Sequence, residues 1–243
     1  MDGASNAHPR PSMQSLPAGY RALVIGARGA IGAALVEHLR ADPRCGGVTA
    51  LHRGSTPAID YAHESGIAEA AAALSAQAPL HLVMVATGVL HTAGAHPEKR
   101  LADLAYPSLE AVFRINTFGP ALVLRHFAPL MDRQRSLMGL LSARVGSIGD
   151  NRLGGWYGYR ASKAALNMIV KTAAIEQRRT HPGAVLAALH PGTVASALSR
   201  PFRGDEIGRP PAQAAAELLA TLDALTPDAS GCLLACGGQA LPW

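Results

Sequence analysis

Residues 20 to 40 read YRALVIGARGAIGAALVEHLR, and their periodicity decides the fold. The run from Tyr20 to Ile25 is mostly apolar, whereas from Ile31 the apolar residues recur at three- and four-residue intervals, so a buried strand passes into an amphipathic helix. Between them lies Gly26-Ala27-Arg28-Gly29-Ala30-Ile31-Gly32, a GxxGxxG spacing. Gly26 permits the tight turn, Gly29 lets the backbone come close to a pyrophosphate, and Gly32 lets the helix pack against the strand. The helix start at Gly29, Ala30 and Ile31 then offers unpaired N–H groups and a positive dipole end to phosphates. A tight turn without a ligand is the alternative, and the motif's place at the first strand-to-helix junction favours binding.

Outward from this unit, short apolar runs at 47–53, 57–60, 80–88, 137–143, 184–190 and 231–237 read as further strands. Helical periodicity fills about 98–115, 119–134, 157–179 and 212–224 between them. The strand at 80–88 is apolar almost throughout, which a parallel sheet covered on both faces demands. The predicted fold is α/β, a Rossmann-type doubly wound parallel seven-stranded sheet in a single domain over residues 19–243. Residues 1–18 are polar and Pro-rich and are expected to be a flexible N-terminal segment.

The second strand ends in Leu51-His52-Arg53, with no carboxylate to accept from the ribose hydroxyls of NAD. Arg53, with Arg28 in the loop, suits a 2′-phosphate instead, so NADP(H) is the preferred cofactor and NAD(H) the alternative. Asp60 and Ala86-Thr87-Gly88 follow the third and fourth predicted strands, where an adenosine would sit. The helix from 157 carries Tyr159-Arg160-Ala161-Ser162-Lys163, which puts a phenol and an ammonium four residues apart on one face. A neighbouring Lys⁺ favours tyrosinate, and a phenol brought towards neutrality can give a proton to a carbonyl oxygen or take one from an alcohol.

Composition excludes other classes. Lys99, Lys163 and Lys171 are the only lysines among 22 basic residues, and the net charge is +5. No run of five like charges and no stripe of Arg interleaved with aromatics is present, so nucleic acid is not an expected partner. Cys45, Cys232 and Cys236 are odd in number and indicate no disulfide framework, and no metal ligand set is assigned. No window approaches the roughly 18 to 20 apolar residues of a membrane span. The expected compartment is the cytoplasm, with no membrane partner.

Taken in order, the glycine loop, Asn116 in RINTFGP, the YRASK segment and HPGTV at 190–194 resemble the short-chain dehydrogenases/reductases from about residue 20 to the end. Within that family RVGSIGDNRLGGWYGYRASKAALN and the terminal GGQALPW look similar to the C-factor-like and carbonyl-reductase-like group. The resemblance implies that Tyr159 is the acid/base and that Lys163 holds the nicotinamide ribose and lowers the Tyr159 pKa. It implies that Asn116 anchors a water relay behind Lys163, and that Pro191, Gly192, Thr193 and Val194 border the nicotinamide. The implied function is NADP(H)-dependent hydride transfer to a small carbonyl or from an alcohol. A cofactor-binding signalling protein of the C-factor type is the alternative. Helices over about 98–134 imply a possible homo-oligomer.

Three departures from the family pattern stand out. Gly29 falls one residue before the usual middle glycine, where Ala30 stands, and Ala86-Thr87-Gly88 replaces Asn-Ala-Gly. Ser142-Ala143 replaces the usual Ser-Ser after the fifth strand, and Gly146 three residues on puts Ala143 at the position of the usual hydroxyl donor. Ser147 in the adjoining turn is the expected substitute, with Ser142 and no serine at all left open.

Overall fold

The computed structural model of the chain describes residues 12–90 and 96–243. Six strands form one sheet: β1 (Tyr20–Ile25), β2 (Cys45–Leu51), β3 (Leu82–Val85), β4 (Ser136–Leu141), β5 (Ala184–His190) and β6 (Cys232–Ala235). Their order is β2-β1-β3-β4-β5-β6 and every neighbouring pair is parallel. The helices are α1 (Ala30–Ala41), α2 (Glu64–Ala73), α3 (Tyr106–Phe113), α4 (Gly119–Phe127), α5 (Tyr157–Gln177), the short α6 (Gly204–Ile207) and α7 (Pro211–Asp223).

Strand alternation sends side chains to two cores. Leu23 and Ile25 of β1 join Ile67 of α2, Phe127 of α4 and Leu166 and Val170 of α5 on one face. Ala22 and Val24 join Leu35 and Leu39 of α1 and Leu218 and Leu222 of α7 on the other. Full burial of β3 and β4 on both faces explains their continuous apolar sequence.

The expected third strand at 57–60 is irregular chain, so among the described residues the sheet has six strands rather than seven. Ser55 takes the polar groups that an edge strand would need: its Oγ accepts from His52 N at 2.9 Å and bonds the Pro57 carbonyl at 2.7 Å. Ile59 N donates back to the His52 carbonyl, and the Ile59 side chain is buried under the sheet. The helix expected over 98–115 is a 3₁₀ turn at Leu101–Asp103 followed by α3, and the one over 119–134 ends at Phe127 before a 3₁₀ turn containing Pro129.

Residues 1–11 of the segment expected to be flexible lie outside the described residues, but residues 12–18 are packed. Met13 and Leu16 are 0% and 2% exposed. Asp42 accepts from Ser12 Oγ, Met13 N and the Tyr20 hydroxyl, and Asp223 accepts from Gln14 N, Ser15 N and Ser15 Oγ. Two buried apolar side chains, hidden in a polar stretch, reverse that expectation.

Candidate active site

The carboxyl ends of β1, β3, β4 and β5 open on a cleft of about 670 Å³, at the place where an open parallel sheet accepts ligands. The glycine loop forms one end. Gly26 has φ +86°, and a Cβ there would stand 2.9 Å from the Ala86 carbonyl carbon. A Cβ on Gly32 would collide with the Gly26 carbonyl oxygen, so both glycines are required by close backbone approach. Gly29 is the N-cap of α1 and no side chain caps the helix, which leaves first-turn N–H groups beside the cleft-lining Gly29, Ala30 and Ile31. This uncapped cradle fits an anionic diphosphate.

Beside the loop a smaller hollow is lined by Arg28, Arg40 and His52 among others. Arg53 is exposed and does not line it, and the charged and polar side chains of the hollow are Arg28, Arg40, Glu37 and His52. Asp60 is also exposed; its carboxylate accepts from Ala62 N and belongs to a turn outside both cavities. Ala86, Thr87 and Gly88 do line the main cleft, and Thr87 Oγ1 shares a 3.1 Å hydrogen bond with the Tyr61 hydroxyl.

Tyr159 and Lys163, one turn apart on α5, both line the cleft. Lys163 is buried; its Nζ donates to the Leu141 carbonyl at 2.8 Å and lies 5.9 Å from the centre of the Tyr159 ring. Burial pushes the ammonium down to about 7 and the phenol up to about 12. The sequence had suggested a phenol lowered by its cationic neighbour; desolvation outweighs that attraction here, partly because the same burial discharges the lysine. At neutral pH the phenol is therefore protonated and is a proton donor.

Asn116 sits in a π-helical turn, Arg114–Phe118, between α3 and α4. Its Nδ2 donates to the Val89 carbonyl at 2.8 Å and to Ser162 Oγ at 3.1 Å, and its Oδ1 accepts from Val89 N at 2.9 Å. The side chain thus clamps the strand end after β3 to α5. A Cβ on Gly88 would stand 3.6 Å from both Asn116 Oδ1 and Lys163 Nζ, which puts these groups together behind Gly88.

The serine expectation meets a different geometry. Ser147 is buried away from the cleft: its Oγ donates to the Trp243 carbonyl at 3.3 Å and accepts from Asp150 N at 3.1 Å. Ser142 lines the cleft, but its Oγ donates to Asn167 Oδ1 at 2.6 Å. Ala143 also lines the cleft. The structure therefore brings no uncommitted serine hydroxyl from this stretch to the side of Tyr159.

Pro191, Gly192, Thr193 and Val194 form the opposite wall, with Gly192 at φ +74°. Beyond them the chain from Thr193 to Pro211 supplies further lining residues, as far as Ile207. Its base is clipped, since Ala195 N donates to the Arg209 carbonyl and Arg209 N to the Thr193 carbonyl, both at 3.0 Å. Phe202 from this segment meets Trp156 edge-on, ring centres 5.1 Å apart. Trp156, Phe202 and His190 are cleft residues that the sequence reading missed. His190 opens the HPGTV segment and Trp156 lies in the stretch before YRASK, but nothing in their spacing, or in that of Phe202, marks them as cleft-lining. Among the described residues no group of three or more His, Cys, Asp or Glu is placed to hold a metal, and no helix is long and apolar enough to cross a membrane.

A family model described as short chain dehydrogenase matches residues 20–207. The chain belongs to the short-chain dehydrogenase family. It is 34% identical over 187 residues, 77% of this chain and 79% of the relative, to 1-hydroxy-2-glutathionyl-2-methyl-3-butene dehydrogenase of Rhodococcus sp. (strain AD45). It is also 34% identical over 145 residues to the C-signal of Myxococcus xanthus, across 59% of this chain and 83% of the relative. The fold is shared with the NADPH-bound carbonyl reductase from chicken fatty liver, at TM-score 0.76 and 24% identity over 94% of this short-chain dehydrogenase and 100% of that chain. The short-chain dehydrogenase assignment makes the chain a member of an oxidoreductase family that acts on small molecules.

Proposed function

We propose that this short-chain dehydrogenase is an NADP(H)-dependent carbonyl reductase, with Tyr159 as proton donor and Lys163 and Asn116 beside it. The observation that carries the reading is the placement of the Tyr159 phenol and the Lys163 amine on one face of α5, in a cleft whose far end is an uncapped helix start behind a glycine turn. When bound, the nicotinamide would supply the hydride. The chain's own part is to hold the diphosphate at Gly29, Ala30 and Ile31, to place positive charge from Arg28 near a 2′-phosphate, and to border the nicotinamide with Pro191, Gly192 and Val194. The Tyr159 hydroxyl, protonated at neutral pH, gives its proton to the substrate oxygen as negative charge develops there.

The substrate end of the cleft is apolar: Leu90, Val145, Trp156, Leu198, Phe202 and Ile207 line it, and Lys163 is the only charged side chain among the described lining residues. That wall favours an uncharged carbonyl or alcohol. Exposed Tyr106 and Phe118 on the α3–α4 stretch are where a second copy would pack. The test is consumption of NADPH, against NADH, with a panel of ketones and aldehydes. Loss of NADPH absorbance that Tyr159→Phe abolishes is the expected result, and full turnover by Tyr159→Phe contradicts the reading.

A second reading is favoured by Ala143 and by the identity to the C-signal: tight cofactor binding with little turnover, serving a signalling role. NADPH binding without carbonyl reduction across the panel would select it.

A further inference from the structure

Three residues in succession, Gly154, Gly155 and Trp156, have left-handed backbones, with φ of 61°, 64° and 53°. Left-handed conformation is cheap for glycine but costs on the order of 1 kcal/mol for a bulky residue, so Trp156 is held there by its surroundings. Arg160 and Glu98 do the holding, Arg160 with its side chain and Glu98 with both main chain and side chain. Arg160 donates from inside the turn to the carbonyls of Gly154 and Gly155, and reaches the Val145 carbonyl at 3.4 Å. From outside, Glu98 takes the N–H groups: its main-chain carbonyl accepts from Trp156 N, and its carboxylate accepts from Gly158 N at 3.0 Å.

Glu98 is only 6% exposed and comes from a segment 60 residues away from Gly158. Trp156 is the N-cap of α5 and has no side-chain cap of its own, because an indole cannot accept the first-turn N–H groups. The Glu98 carboxylate performs that duty from a separate segment, accepting a first-turn N–H of the 21-residue helix. Gly158 is matched to it: a Cβ there would lie 2.9 Å from Glu98 Oε1. The turn so fixed leads to two of the aromatic groups that line the cleft, with the Trp156 and Tyr159 ring centres 6.3 Å apart.

We propose that Glu98 is a positioning residue for the reaction: its carboxylate, by holding Gly158 N beside the Trp156 N that its main-chain carbonyl already holds, sets the first turn of α5, and with it the Trp156 wall and the direction of the Tyr159 hydroxyl. This rests on the reading of Tyr159 as proton donor. Misplacing a reacting group by about 1 Å costs up to about 100-fold in rate, whereas the diphosphate cradle at Gly29 is on a different helix and is untouched.

The test uses the full chain with NADPH and a carbonyl substrate from the panel. Glu98→Ala is expected to lower kcat by about 10- to 100-fold while the Kd for NADPH changes by less than about threefold. Trp156 is one of two tryptophans, so in a Trp243→Phe background its emission reports the turn directly, and Glu98→Ala is expected to broaden it and move it to the red. Glu98→Gln keeps an acceptor oxygen for Gly158 N and is expected to recover most of kcat and of the emission. Folded Glu98→Ala with unchanged kcat and unchanged emission overturns the proposal. If Glu98→Ala does not fold, Gly158→Ala, whose methyl displaces the carboxylate, is expected to show the same kcat and emission changes, and an unaltered Gly158→Ala overturns it equally. Tyr159→Phe separates the two ideas. If it retains full turnover, the proton-donor reading fails and the emission alone judges Glu98; if it is inactive while Glu98→Ala is unimpaired in both readouts, the Glu98 proposal alone fails.

Discussion

Lys163 Nζ lies 5.9 Å from the centre of the Tyr159 ring and donates to the Leu141 carbonyl, while both side chains share the desolvation that moves their pKa values apart. The phenol rises to about 12 and the amine falls to about 7, so near neutrality the pair holds a protonated phenol beside a lysine poised to lose its charge. With the charged lysine supporting proton delivery, kcat/KM for NADPH-dependent reduction is expected to fall as pH rises through about 7. A kcat/KM profile measured from acid to base checks this; a rate that climbs through the same range would contradict it.

The same burial carries a stability consequence of definite sign. The folded Lys163 pKa of about 7 lies below its ordinary 10.5, so between these values the unfolded chain binds more protons and stability rises with pH. The penalty for burying the ammonium is full below about 7 and fades towards 10.5. Lys163→Met is therefore expected to melt higher than the parent at pH 6 and to lose that advantage as pH approaches 10.5, while losing turnover. Thermal melts of both proteins at several pH values measure it.

Ala143 is a buried cleft residue where the family pattern has a hydroxyl, and the neighbouring serines are committed elsewhere, Ser142 to Asn167 and Ser147 to the Trp243 carbonyl. Ser147→Ala is thus expected to keep kcat within about threefold, since it removes no group from the cleft. Ala143→Ser adds a donor beside the substrate oxygen and is expected to raise kcat, by up to the roughly 100-fold that such a donor supplies elsewhere. A fall in kcat for Ala143→Ser would show that this cleft is shaped around the methyl group.

The parts of the site legible in the sequence are those whose partners are close along the chain. Gly26 and Gly32 declare a strand-to-helix turn because the left-handed turn at Gly26 and the approach of its carbonyl to Gly32, six residues on, are both local, and Tyr159 and Lys163 share a face because helical pitch requires it. Glu98 meets Gly158 across 60 residues and Asp42 meets Met13 across 29, and no local periodicity announces either. The apolar content of Pro57–Asp60 suggests a strand, yet Ser55 diverts the backbone hydrogen bonds that a strand would need. Of the two arginines that the sequence offers for the cofactor end, Arg28 lines the hollow and Arg53 does not, because sequence position cannot tell which way a side chain turns once its strand has ended.

That last difference is open to measurement. Arg28 lines the hollow beside the glycine loop and Arg53 does not. Removing a cation that bonds a phosphate typically forfeits about 1.5–3 kcal/mol, so Arg28→Ala is expected to weaken NADPH binding at least tenfold with little effect on NADH, whereas Arg53→Ala changes neither by more than about threefold. Titration of cofactor fluorescence checks both variants, and equal losses of NADPH and NADH in Arg28→Ala would contradict a role at the 2′-phosphate.

Asp42 ties the N-terminal residues to the sheet, and its charge makes that tie pH-dependent. Burial alone would raise its carboxyl, but hydrogen bonds from Arg44 N, Met13 N, the Tyr20 hydroxyl and Ser12 outweigh it and hold the carboxyl below its ordinary value. A depressed folded-state pKa means that its stabilisation is present above the ordinary carboxylate range and is lost as pH falls through the folded value. Asp42→Ala removes the acceptor and strands a buried phenol and Met13 N, at an expected cost of about 1–3 kcal/mol near neutrality that shrinks in acid. Denaturant unfolding of parent and variant at neutral and acid pH measures the difference; a cost that stays constant into acid would mean that the packing of Met13 and Leu16, rather than the carboxylate, fastens the segment.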